Sequence, residues 1–189
     1  VPLPAIALPA PQTVADSQEG PSYLPHAGVV LVVDSDRQAA VEIAEIVREC
    51  FGPECRVVGA STLDRALACI ESQDVSMLIS DVSLEGQDIK PLIALLKTDK
   101  PEVVTIIVTA IQGAGILSQL INQGQIFRYL TKPLRHVLIR RAVESGMERH
   151  LALRQQPVLQ ERYRVEPLAP DEGRELVARL KSFFSGFRR

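Results

Sequence analysis

The chain has 189 residues, 46% of them hydrophobic, and a formal net charge of −2. That is enough apolar mass for a core and too little basic excess to hold nucleic acid by bulk electrostatics, so no direct nucleic-acid binding is expected. Aromatic residues make up only 4% and tryptophan is absent, so the core must come from Val, Ile, Leu and Ala, as in buried parallel strands and their covering helices. The three cysteines, Cys50, Cys55 and Cys69, lack framework spacing and are expected as free thiols of a reducing, cytoplasmic setting. No apolar run reaches the roughly 18 residues of a membrane span, and the opening VPLPAIALPAP has no basic flank, a poor match to a signal peptide.

Residues 1–27 carry six prolines, each of which fixes φ and removes a donor, so this stretch is expected as an extended tail or linker. The pattern changes at residue 28. Val29 to Val33 is a β-branched run ending at Asp34 and reads as a strand buried on both faces. Residues 37–51 follow with Ala40, Val41, Ala44, Ile46 and Val47 at helical spacing, stopped by Gly52-Pro53. Arg56 to Ala60 is a second strand. Ser61 and Asp64 resemble a capping box that opens a helix through about Glu71. Val75 to Ser80 is a third strand ending at Asp81. A loop containing Gly86 leads to a helix from about Ile89 to Lys97. Val103 to Val108 is a fourth strand ending at Thr109, residues 112–123 read as a fourth helix with a Gly-rich start, and Ile126 to Leu130 is a fifth strand. Lys132-Pro133 then introduces a long helix from about Leu134 to Leu151.

Five strands alternating with five helices imply a parallel sheet joined by right-handed crossovers, with helices on both faces. In open sheets of this kind the site lies at the carboxyl ends of the strands. The polar residues found there are Asp34, Ser35, Asp36, Asp81, Thr109 and Lys132. Clustered carboxylates repel one another and call for a cation. A hard divalent ion suits oxygen ligands, a lysine suits a phosphate, and a threonine hydroxyl can bond a phosphoryl oxygen. The set is that of phosphoryl transfer to a carboxylate.

The chain resembles the receiver domain of two-component response regulators. The resemblance rests on Val32-Val33-Asp34-Ser35-Asp36, Ser80-Asp81, Thr109-Ala110 and Tyr129-Leu130-Thr131-Lys132-Pro133, with 47, 28 and 23 residues separating Asp34, Asp81, Thr109 and Lys132. It implies a flavodoxin-like, doubly wound α/β fold over residues 28–152. It also implies a phosphoryl group taken by Asp81 from a sensor histidine kinase or phosphotransfer protein, and Mg²⁺ held by Asp34, Asp81 and the main-chain carbonyl of Ser83. Lys132 would bond the acyl phosphate next to a cis Pro133. Thr109 and Tyr129 would move on phosphorylation and alter the face made by the fourth helix, fifth strand and fifth helix, a surface suited to a homodimer or a partner. Such a domain is a signalling module, not a metabolic enzyme.

One position departs from the family pattern. Two adjacent acids usually follow the first strand, and Ser35 stands in place of the second. Asp36 is a possible auxiliary acid, although an acid there also suits the positive end of a helix. Ser35 keeps a second reading open, a pseudo-receiver serving as a phosphorylation-independent interaction or dimerisation module. Asp34-Ser35-Asp36 also fits, formally, the acid pair of a phosphoaspartate hydrolase. Residues 153–189 are expected as a linker and an amphipathic helix from Asp171, with Leu176, Val177, Leu180, Phe183, Phe184 and Phe187 in one stripe. That stripe is expected to dock on the receiver or on a second copy, with a partner-binding or autoinhibitory helix and, given Lys181, Arg188 and Arg189, a membrane-surface helix as the alternatives.

Overall fold

Residues 28–111, 120, 126–156 and 158–161 are described by the computed structural model. The proline-rich tail, the expected C-terminal stripe, and the expected fourth helix apart from the helical Leu120 lie outside them. The elements in chain order are β1 (Val29–Val33), α1 (Arg37–Phe51), β2 (Arg56–Ala60), α2 (Leu63–Ser72), β3 (Val75–Ser80), β4 (Ser83–Leu84), β5 (Gln87–Asp88), α3 (Lys90–Asp99), β6 (Val104–Thr109), β7 (Arg128–Thr131), α4 (His136–Gln155) and α5 (Val158–Glu161). Five strands form one parallel sheet in the order β2-β1-β3-β6-β7. This is the doubly wound α/β arrangement expected from the alternation, and the chain reverses its winding direction between β1 and β3.

β1, β3 and β6 are buried along their whole length, because helices cover both faces of the central strands. Alternate residues serve opposite cores. Val30, Val32, Met77, Ile79, Ile106 and Val108 pack under α1 and α4. Leu31, Val33, Leu78 and Ile107 pack under α2 and α3. α4 lies close to the sheet because Gly146 has no side chain there, and a Cβ would stand 2.8 Å from Cε of Met77.

Four details differ from the sequence expectation. α1 is buried through Ala39, Ile43, Ile46, Val47 and Phe51, with Ala40 packed beside them, whereas Val41 is 49% exposed and does not belong to the apolar face. α2 is capped by Thr62, whose hydroxyl accepts the Arg65 N–H at 3.4 Å, and not by Ser61. The Gly86 loop is a two-residue hairpin, β4 pairing antiparallel with β5, and its turn residues Glu85 and Gly86 have φ of 51° and 83°, the positive pair that such tight turns require. The last sheet strand starts at Arg128, not Ile126, although the Phe127 N–H already bonds the Thr105 carbonyl at 2.8 Å.

Candidate functional site

β1 and β3 are neighbours, and Val33 is paired with Ser80. The residues that follow, Asp34 and Asp81, therefore leave the sheet side by side, and the Asp81 N–H bonds the Val33 carbonyl at 3.0 Å. At the other side of the sheet β6 pairs with β7 through Thr109 and Thr131, and the Lys132 N–H bonds the Thr109 carbonyl at 2.8 Å. Backbone register thus carries four residues, remote in sequence, to one rim. The Lys132–Pro133 peptide is cis, as the resemblance implied.

The Nζ of Lys132 donates to Asp34 Oδ2 at 2.7 Å and to Asp81 Oδ2 at 2.9 Å. The three side chains are shielded, with relative exposures of 2% for Asp34, 14% for Asp81 and 17% for Lys132. Burial pulls the Lys132 ammonium toward its neutral form, but the hydrogen bonds from Asp34 and Asp81 and their charges outweigh it and hold its pKa above the usual lysine value. The other carboxylate oxygens are tied to main chain. Asp34 Oδ1 accepts the Asp36 N–H at 2.9 Å, and Asp81 Oδ1 accepts the Val82 N–H at 2.7 Å. These two N–H donors were invisible to sequence reasoning, since every residue but proline carries one.

The remaining expected residues fall around this pair. Thr109 is fully buried and its Oγ1 accepts the Ile111 N–H at 3.2 Å. The half-buried Tyr129 packs its ring against the α2–α3 core and donates its hydroxyl hydrogen to the Ile111 carbonyl. Both side chains thus hold the short segment after β6. Ser83 lies in β4, partly buried and paired with Asp88. Asp36 is exposed, and its Oδ1 accepts the Gln38 and Ala39 N–H groups at 2.9 and 3.3 Å, capping α1. Ser35 is exposed.

As a donor set for a hard cation, the pocket offers two adjacent carboxylates. A third acid is lacking: Ser35 is neutral and the Asp36 carboxylate is turned to its helix. Among the described residues no group of three or more His, Cys, Asp or Glu side chains could hold a metal. Chemically the pocket presents a shielded carboxylate, Asp81, beside a fixed ammonium, an arrangement that can accept and neutralise a doubly charged phosphoryl group.

The profile of the response regulator receiver domain matches residues 30–144. A curated relative, the hydrogenase transcriptional regulatory protein HoxA of Cupriavidus necator, is 28% identical over 120 residues, covering 61% of this chain and 24% of that protein. The chain thus spans about a quarter of that relative's length. Among solved structures, the signal receiver domain of an HD domain-containing protein from Pseudomonas fluorescens Pf-5 superposes with a TM-score of 0.62 at 23% identity, over 68% of this chain and 92% of that one. The CheY-like receiver domain protein from Methanospirillum hungatei JF-1 superposes with a TM-score of 0.59 at 20% identity, over 66% and 96%. With more than half of its length matched by the family profile, and that family's fold around the pocket, the chain belongs to the response regulator receiver domain family.

Proposed function

We propose that this chain is a phosphoacceptor receiver, with a receiver unit over residues 28–152 that takes a phosphoryl group on Asp81 from a histidine kinase or phosphotransfer protein. The observation that carries the reading is the Lys132 Nζ held within 2.7 and 2.9 Å of Asp34 and Asp81. An oxygen of Asp81 attacks the phosphorus of the donor's phosphohistidine; the P–N bond breaks, and the donor imidazole leaves and recovers a proton from water. Lys132 stays beside the new acyl phosphate and balances part of its charge. Two carboxylates and one ammonium leave the pocket one negative charge in excess. Phosphorylation adds about one more, so a divalent cation brings the total to neutrality. Asp34, Asp81 and the Ser83 carbonyl would hold Mg²⁺, which supplies that charge when bound.

The switch follows from contacts already described. Thr109 Oγ1 gives up the Ile111 N–H to bond a phosphoryl oxygen, and Tyr129 releases the Ile111 carbonyl and turns inward. The segment after β6 and the face of β7 and α4, with exposed Val137 and Leu138, then present a new surface to a second copy or a partner. This is a population shift driven by bonds available only to the phosphorylated state.

A second reading, a pseudo-receiver that binds partners without phosphorylation, is favoured by one observation. Ser35 replaces an acid while Asp36 caps α1. The two are separated by incubating the protein with Mg²⁺ and a small acyl-phosphate donor or a cognate kinase, and measuring intact mass. A single phosphoryl adduct, absent from Asp81→Ala, is expected. No adduct with any donor would favour the pseudo-receiver, and an adduct carried on Asp34 itself, surviving Asp81→Ala, would refute both.

A further inference from the structure

At the edge of the sheet opposite Asp81, where the strands begin, a cleft of about 180 Å³ lies between the ends of α3 and α4 and the starts of β6 and β7. Lys97 and Arg149 bring two cations to it, and Val104, Ile126, Phe127 and Leu153 give it an apolar wall; none of its lining side chains is acidic. Lys97 is 5% exposed, yet the acceptor of its ammonium is a neutral group, the Val103 carbonyl. An ammonium has three donors, and among the described residues no carboxylate pairs with this one. Burial lowers its pKa to about 8; Glu102 opposes the fall and Arg149 adds to it. The cleft thus sets a desolvated ammonium against an apolar wall with no carboxylate in its lining, which is the complement of an amphipathic anion.

We propose that this cleft binds a small monocarboxylate with a short apolar tail, its carboxylate on the Nζ of Lys97 and its tail against Phe127, Ile126, Val104 and Leu153. The charge and the wall are both needed. An anion without a tail, such as phosphate, would leave the apolar wall unused. A neutral apolar molecule would leave the ammonium desolvated. A volume of about 180 Å³ is below the range of roughly 300 Å³ and upward taken by drug-sized ligands, which restricts the tail to a few carbons or one ring. The site lies at the far edge of the sheet from Asp81.

The test uses the full chain, with phenylacetate and isovalerate as probes and their amides, phenylacetamide and isovaleramide, as uncharged matches. In amide NMR titrations at pH 7 the acids are expected to give saturable shifts centred on Val104, Phe127 and Leu153, and the amides none. Lys97→Met, which keeps length and apolar bulk, is expected to weaken acid binding by at least about tenfold, the scale of losing a charge-assisted hydrogen bond. Acids and amides that bind alike, saturable shifts elsewhere, or no saturable shift with either acid at millimolar concentration would each overturn the proposal. The comparison of acid with amide is made on the unaltered protein, so the outcome does not depend on the variant folding.

Discussion

The two edges of the sheet each bury a lysine, and they treat it in opposite ways. At the carboxyl edge Lys132 lies between Asp34 and Asp81, and its pKa is raised. At the amino edge Lys97 meets a main-chain carbonyl and the opposed fields of Glu102 and Arg149, and its pKa falls to about 8. Burial works against both charges; what differs is whether a carboxylate is bonded to the ammonium. Burial alone therefore does not set the direction in which a lysine's pKa moves. One edge is a set of charges bonded to each other, and the other keeps an ammonium bonded to a neutral carbonyl, with Glu102 acting on it only through its field.

The sharpest way to break this contrast is to delete each lysine in turn. Lys132→Met leaves two shielded carboxylates facing each other and is expected to cost about 3 kcal/mol at pH 7, with part of the loss returned by Mg²⁺. Chemical denaturation with and without the ion checks it, and a variant as stable as the parent would mean that the acids do not need this partner. Lys97→Met is expected to do the reverse, stabilising the fold by roughly 2 kcal/mol at pH 7 as a desolvated charge is removed. The sign with pH follows from linkage. Between about 8 and 10.5 the unfolded chain binds a proton at Lys97 that the folded chain does not, so the parent gains stability as pH rises through that window. The advantage of Lys97→Met should shrink over the same interval, and an advantage independent of pH would show that the folded lysine is not desolvated.

Smaller effects sharpen the comparison within the acidic edge. Ser35→Asp supplies the missing third carboxylate and is expected to raise Mg²⁺ affinity about tenfold in calorimetric titration, an effect on the scale of one charged contact. Unchanged affinity would mean that residue 35 does not face the ion. Asp36→Ala is expected to cost about 1 kcal/mol in melting experiments through loss of the α1 cap, and Asp36→Asn to regain most of it. If Asn fails to rescue, the negative charge contributes more than the cap oxygen.

Most of the fold was legible because its signals were local. β-branched runs such as Val29 to Val33, each followed by a polar residue, mark central parallel strands, and they recur often enough to fix the alternation. The acidic rim could be read because strand ends in such sheets converge, so that Asp34, Asp81 and Lys132 were brought together by topology rather than by proximity in the chain. Geometry set by the main chain was not legible. The hairpin at Glu85 and Gly86, the cap at Thr62 in place of Ser61, and the N–H donors of Asp36 and Val82 depend on backbone angles that many residues can adopt. The buried face of α1 was legible only in part: Ile46 and Val47 are buried and Ala40 packs beside them, but the apolar Val41 is exposed, and periodicity alone does not fix the edges of a helix face. Lys97 gave no sequence signal, since a lone lysine near a helix end is most often solvated.

Among the described residues β7 is an edge strand, joined to the sheet through β6, and it delivers the cation that both acids share. Fraying at that margin would withdraw the ammonium while leaving Asp34 and Asp81 on the sheet's interior strands. The seating of the outermost strand is therefore tied to the ionic state of the pocket. A cation that displaces Lys132 from the acids should loosen the margin, and the protection of the β7 amides against hydrogen exchange should fall as that ion is added.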